Sequence, residues 1–332
     1  MRIKLPLVLF AIAAFSFFSC NNDLKILAPY KDIPVVYGLL DQSDTAHYIR
    51  VNKAFLGLGN AYTMASNYDS TNYPIGQISV QIQDYDQSGN LVGTYSLTPD
   101  SSIPVDPGTF PYPHQVLYKT KAKLNVNDTY SLTVTNEHTG KVASGSTLLM
   151  TDANIISPWI SSQYFSLSWL SNYPTKMQWN TSSGARIYQY TVRFFYYEKD
   201  IASGTGSEKY VDWVFPTLSA SSISGGIPME YDYTGQGFLQ FLKGYIAVNS
   251  GVTRTADSVR LYFTSGSDDL YTYIQLSQPS LGINQEKPFY SDVKNAVGIF
   301  TSRHVQTFKK VFTVIELDSI RLDPITSNLN FQ

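Results

Sequence analysis

The sequence predicts a mainly β protein: a two-sheet sandwich over residues 32–150, followed by a β-rich region over 151–332 with two short helices. Three observations predict it. Aromatic residues make up 14% of the 332 residues and include 25 Tyr; Tyr and Thr favour the half-buried, pleated surface of a sheet. Apolar and polar residues alternate over short runs such as "QISVQIQD" (77–84), the period of a strand with one buried face. Clusters of Gly, Asn, Asp and Ser separate these runs at short intervals, as turn chemistry requires.

The first region reads in order as follows. "IPVVYGLL" (33–40) and "HYIRVNKAF" (47–55) are strands around the polar turn "DQSDTA". A long loop follows, "LGLGNAYTMASNYDSTNYPIG", rich in Gly, Asn, Ser and Tyr. The strand at 77–84 turns through "DQSGN" into "LVGTYSLT", a hairpin pattern. "VLYKTKAKL", "DTYSLTVTN" and "KVASGSTLLM" bring the count to about seven strands, the number and rhythm of an immunoglobulin-like or fibronectin-type sandwich. Leu124 and Tyr130 flank "NVNDT" just before the alternating "SLTVT". This resembles a tyrosine corner, in which the Tyr hydroxyl bonds back to the chain preceding its strand.

After Met150 the texture changes. "TDANIISPWISSQ" is a linker or a first strand, and "KMQWNTS", "RIYQYTVRFFYYEKD" and "KYVDWVFPTL" are strands. "GQGFLQFLKGYIAV" (235–248) spaces Phe238, Leu239, Phe241, Leu242 and Ile246 for a helix with one face inward. "SVRLYFTS" is a strand, and "SDDLYTYIQLSQ" (267–278) opens with a capping Ser and two first-turn acids, so it reads as the second helix. "AVGIFTSRHV" and "KKVFTVIELDSI" complete the reading as strands.

The N-terminus carries the clearest address. Met1-Arg2-Ile3-Lys4 is basic, and Leu5 to Phe18 holds no charge. That stretch is too short for the ~30 Å hydrocarbon core as a helix and fits the apolar region of a secretory signal over 1–19. It ends at Cys20, the single cysteine of the chain. Phe17-Phe18-Ser19-Cys20 resembles a bacterial lipobox, with Ser19 as the small residue before the lipidated Cys20, although Phe17 and Phe18 depart from the usual residues. An ordinary signal peptide cleaved near Ser19 is the alternative. Lipidation would make 20–31 a short tether to a bilayer, since each buried methylene contributes ~0.8 kcal/mol.

Composition excludes several classes. A formal net charge of −2 with 15% charged residues leaves no electrostatic footprint for nucleic acid. With Cys20 set aside there is no intrachain disulfide, thiolate metal cluster or cysteine nucleophile. His47, His114, His138 and His304 show no ligand spacing, and no G-x-S-x-G elbow occurs. "DYDQSGN" (84–90) mimics the start of a calcium loop but places Tyr95 where the bidentate Glu belongs, so a hairpin turn is the reading. No cofactor is expected, and no enzyme.

The order "VVYGLL", "MQWN", "DDLYTYIQLSQ" and "NAVGIFTSR" (295–303) behind a lipobox cysteine resembles a family of Bacteroidota outer-membrane lipoproteins of undefined function. Members are often encoded beside TonB-dependent receptors. The resemblance implies a lipid-anchored outer-membrane protein with an accessory or binding role. It carries no catalytic residues. Asn21-Asn22-Asp23 offers one acid before Lys25, so the periplasmic and cell-surface faces both stay open. The candidate ligand or partner loops are marked by Tyr62, Tyr68 and Tyr73, and by Tyr112 in "PGTFPYPHQ", because Tyr combines apolar area with a polar tip. Two roles follow: binding a membrane partner such as a TonB-dependent receptor, or binding a glycan at the surface.

Overall fold

The computed structural model describes residues 30–57, 60–105, 115–158, 160–166, 174–278 and 289–332. Cys20, its signal and most of the tether therefore lie outside the described residues, as does Tyr112. The fold is mainly β, with a large continuous sheet and a small three-stranded one.

The first body is built from β1 (Pro34–Leu40), β2 (His47–Lys53), β3 (Ile78–Tyr85), β4 (Leu91–Asp100), β5 (Leu117–Thr120), β6 (Thr129–Asn136) and β7 (Val142–Leu148). β4 joins its two faces: residues 91–97 pair with β3, and 98–100 pair with β5. β1, β2 and β5 lie on one side, and β3, β6 and β7 on the other. Inward residues alternate along each strand, and Val36, Ile49, Val51, Val80, Ile82, Leu132 and Val134 meet between the sheets.

The tyrosine corner is present. The Tyr130 hydroxyl is fully buried and accepts the Asn125 N–H at 2.7 Å. Tyr130→Phe leaves that amide unpartnered and is expected to cost about 1–2 kcal/mol. An unchanged urea midpoint would show that the corner contributes nothing. The "DYDQSGN" stretch is a hairpin, because Asp86 accepts the amides of Ser88 and Asn90 at 2.9 and 2.8 Å. Asp84 instead turns inward beneath Tyr130 and Tyr95, where burial and Asp128 raise its pKa.

The second body contains β8 (Asn154–Ser157), β9 (Thr175–Asn180), β10 (Ala185–Asp200), β11 (Gly206–Val214), β12 (Leu218–Ser219), β13 (Pro228–Tyr233), β14 (Val252–Ser267) and β15 (Val297–Val311). The long strands β10, β14 and β15 form one antiparallel ladder with β11 at its edge, and β13–β9–β8 is the small sheet. An aromatic core fills the body: Trp179, Tyr188, Phe194, Phe238 and Phe263 are all buried. The five residues expected on the inner face of 235–248 are buried on and just after the helix Gly235–Tyr245.

β15 serves both bodies. Its residues 297–302 run parallel to β1, and 303–311 run antiparallel to β14. Phe300 thereby enters the first core, fully buried, with Val293 nearby. Two glycines make room for its ring. A Cβ on Gly38 would stand 2.9 Å from Phe300 Cδ2, and one on Gly145 would stand 3.1 Å from Phe300 Cβ. Gly298 has φ +126°, and a Cβ there would reach within 1.9 Å of the Val36 carbonyl oxygen, so glycine is required where β15 meets β1. On the other side, Ser144 and Lys294 exchange backbone hydrogen bonds and tie the entry to β15 against β7.

Two stretches differ from the sequence reading. The loop after β2 folds into two short helices, α1 (Ala61–Ala65) and α2 (Tyr68–Thr71), whose N-caps are Asn60 and Asn67. "KKVFTVIELDSI" is half strand and half helix. β15 ends at Val311, and Val314–Leu322 is helical. Its β-branched residues suggest a strand, but Thr313 and Glu316 form a capping box, which satisfies the first N–H groups of a helix. With Gly235–Tyr245 (α3) and Asp268–Ser277 (α4), this helix (α5) makes three α-helices among the described residues of the second body, where two were expected.

Candidate binding site

The outward face of the first sheet is floored by alternate residues of β1 and β2. Cross-strand register sets Ile299, Tyr37, Arg50 and Leu117 in one row, with Val297, Val35 and Asn52 in the next. The strand period therefore puts the apolar set inside and this mixed set outside. Above it lie the loop carrying α1 and α2 at one end and α4 at the other, and two cavities result. The larger, about 520 Å³, is lined by Val35, Tyr37, Arg50, Asn52, Lys53 and Phe55 below, with Ala65, Thr71, Asn72 and Gln115 among its walls. The smaller, about 380 Å³, lies between β1 and α4 and is lined by Tyr48, Leu270, Tyr273 and Arg303 among others. Tyr37 lines both. Volumes of this order suit small ligands or a few units of a chain molecule.

Polar groups are held in place. Asn52 Oδ1 accepts Arg50 Nε at 2.6 Å, while Asn52 Nδ2 donates to Thr71 O at 3.1 Å and to Asn72 Oδ1 at 2.7 Å. This relay orients Arg50 and fastens α2 to the floor. Among the described residues neither Arg50 nor Lys53 pairs with a carboxylate; Lys53 Nζ lies 5.8 Å from the centre of the Tyr73 ring. The Tyr37 ring meets Tyr273 of α4 edge-on at 6.3 Å. Burial and the Tyr273 hydroxyl push its pKa up to about 12, so Tyr37 keeps its proton at neutral pH.

The candidate tyrosines separate. Tyr62 is 62% exposed on α1, and Tyr68 is half-buried at the start of α2. Tyr73 belongs to the core: it is buried and donates to Asp32 Oδ1 at 2.7 Å. Its burial is the physical reason it cannot present a ring to a ligand. None of the three lines the larger cavity; α1 and α2 contribute Ala65 and Thr71 instead. Tyr37, Arg50 and Asn52 were not anticipated, although their outward positions on alternating strands were legible.

A second cluster joins the bodies. His304 of β15 lies between Asp41, which follows β1, and Asp152, in the connection between bodies. Nδ1 is 2.9 Å from Asp41 Oδ1, and Nε2 is 2.8 Å from Asp152 Oδ1. Asp41 also accepts the amide and hydroxyl of Ser43. Burial alone would lower the pKa of His304, but the two carboxylates raise it. Both ring nitrogens are engaged, which makes the cluster a clamp. In the second body, Trp213, Phe215, Tyr231 and Tyr233 line a further cavity of about 280 Å³.

Three stretches distant in sequence meet at the Tyr37 groove: "VVYGLL" as β1, "DDLYTYIQLS" as α4, and "VGIFTS" at the head of β15. Among the described residues, no helix is long and apolar enough to cross a membrane. No family model matches the chain, and no curated protein matches it. Among solved structures it is similar to the C-terminal globular domain of an oligosaccharyltransferase from Pyrococcus abyssi, at 8% identity and a TM-score of 0.18. The match covers 85% of this chain and about half (47%) of that one, and a likeness of this size carries no argument.

Proposed function

We propose that this protein is a non-enzymatic, lipid-anchored binding protein of the outer membrane, accessory to a membrane partner such as a TonB-dependent receptor. The observation that carries the binding role is the groove across Tyr37, whose cations, amides and tyrosines are suited to recognising a ligand. The anchor rests on Cys20 at the end of the apolar N-terminal run. Mass spectrometry of the mature protein is expected to find acyl chains on Cys20, and isolation from solubilised membranes is expected to recover a β-barrel partner. An unmodified N-terminus would remove the anchor, and recovery of no barrel across mild detergents would remove the partner.

A second reading, a surface glycan-binding protein, is favoured by the tyrosine floor flanked by Asn52, Asn72 and Gln115. Their N–H groups are bonded within the walls, Asn52 to Thr71 O and Asn72 Oδ1, Asn72 to Tyr68 O and Thr71 Oγ1, and Gln115 to the Ile103 and Pro104 carbonyls, so it is their oxygens that face sugar hydroxyls as acceptors. Retardation of the protein in polysaccharide gels tests it, and Tyr37→Ala is expected to abolish that retardation.

A further inference from the structure

Resting on the glycan-binding reading, we propose that the Tyr37 groove binds an acidic saccharide chain, with a uronate carboxylate on Arg50 and a neighbouring ring over Tyr37.

The charge argument comes first. Arg50 lines the larger cavity from an outward position of β2, and among the described residues it pairs with no carboxylate; Lys53 has the inward parity of Ile49 and Val51, and its Nζ lies over the buried Tyr73 ring. Arg50 is held by Asn52 through Nε at 2.6 Å, which leaves the two terminal nitrogens of its fork free to grip a carboxylate. Among the described residues no acidic side chain lines that cavity, whereas Asp44 lines the smaller one together with Arg303. The anion subsite is therefore on the Arg50 side of Tyr37.

The shape argument separates a saccharide from an acidic peptide. An extended peptide binds a sheet by adding a strand to a free edge. The floor strands have no free edge: β1 pairs with β15 and β2, and β2 pairs with β1 and β5. A ligand must instead lie flat on side chains. Tyr37 stands 38% exposed between the two cavities, and Tyr273 holds its ring from the α4 side. An aromatic face with flanking amides accepts the apolar face and hydroxyls of a sugar ring. That Tyr37 lines both cavities favours a chain of several rings over one.

The test uses the mature protein in affinity gels containing polygalacturonate, its carboxyl-reduced neutral form, or dextran sulfate. Retardation by polygalacturonate alone is expected, falling at least tenfold in apparent affinity in Arg50→Gln, a substitution at an exposed position. Tyr37→Ala is expected to lose binding as well. Equal retardation by the neutral polymer would overturn the acidic assignment and leave the glycan reading standing. Equal retardation by dextran sulfate, or an unaffected Arg50→Gln variant, would reduce the effect to general charge attraction and overturn it too. Retardation by no polysaccharide at all would remove both. Capture of an acidic peptide with loss in the same Arg50→Gln variant would assign the subsite to peptide and overturn the saccharide.

Discussion

A fragment ending at Met150 is expected to fail to fold, while 32–332 folds. The first core needs Phe300, which arrives from β15. Without β15, β1 would also expose a row of unpaired backbone groups along an edge of the sheet, an invitation to aggregation. The point substitution isolates the first cause. Phe300→Ala in the full chain empties a fully buried site between Gly38 and Gly145 and is expected to cost about 3–5 kcal/mol. Collapse is hindered because those two glycines have no side chains to move in. Chemical denaturation of 32–332 with and without the substitution measures it, and amide exchange locates it. Protection should fall across β1, β2 and β6. A loss below about 1 kcal/mol, or a fragment 32–150 with a dispersed amide spectrum, would show that the first body does not depend on the returning strand.

His304→Ala is expected to cost about 3–5 kcal/mol, because it leaves the Asp41 carboxylate, 1% exposed, buried without its imidazolium partner. The pH dependence gives the second readout. The His304 pKa is raised in the folded state, so its contribution is fully present below its unfolded value near 6.5 and is lost as pH rises through the folded value. Asp41 behaves oppositely. Burial would raise its pKa, but His304 and Ser43 bring it down, so its contribution is present above about 4 and lost as pH falls. His47, buried with its pKa lowered by desolvation, adds to the loss on the acid side. Stability should therefore peak between these limits. The variant should lose the alkaline decline assigned to His304 while keeping the acid one from His47. A wild-type profile that stays flat above pH 6.5, matched by the variant, would show that the clamp contributes no proton linkage.

Most of the fold was legible because most strands announce themselves locally. Alternation placed β3, β6 and β10 within a residue or two, and the spacing of Leu124 and Tyr130 pointed to a hydroxyl that bonds back to the preceding chain, which it does at Asn125. The misses are local signals outweighed by composition. Asn60 and Asn67 are N-caps inside a stretch whose Gly and Ser read as loop. Thr313 and Glu316 cap a helix inside a run of β-branched residues. Tyr62, Tyr68 and Tyr73 attracted notice because tyrosine is a good interface residue, but residue type does not say which way a ring points, and Tyr73 points inward to Asp32.

Local chemistry along the chain accounts for the mainly β character, the alternation that assigns each strand an inner and an outer face, the corner at Tyr130 and the basic–apolar–cysteine pattern at the N-terminus. These are matters of neighbours in the chain, and short-range sterics and periodicity suffice to read them. Long-range packing, by contrast, is what takes β15 from one body to the other, seats Phe300 in the space left by Gly38 and Gly145, brings His304 to Asp41 and Asp152, and sets Tyr37, Arg50 and Asn52 on the floor of one groove. Each of these joins residues far apart in the chain or on different strands, some more than 250 positions apart. Such pairings are set by how strands choose partners to bury a shared core, and no local pattern records that choice.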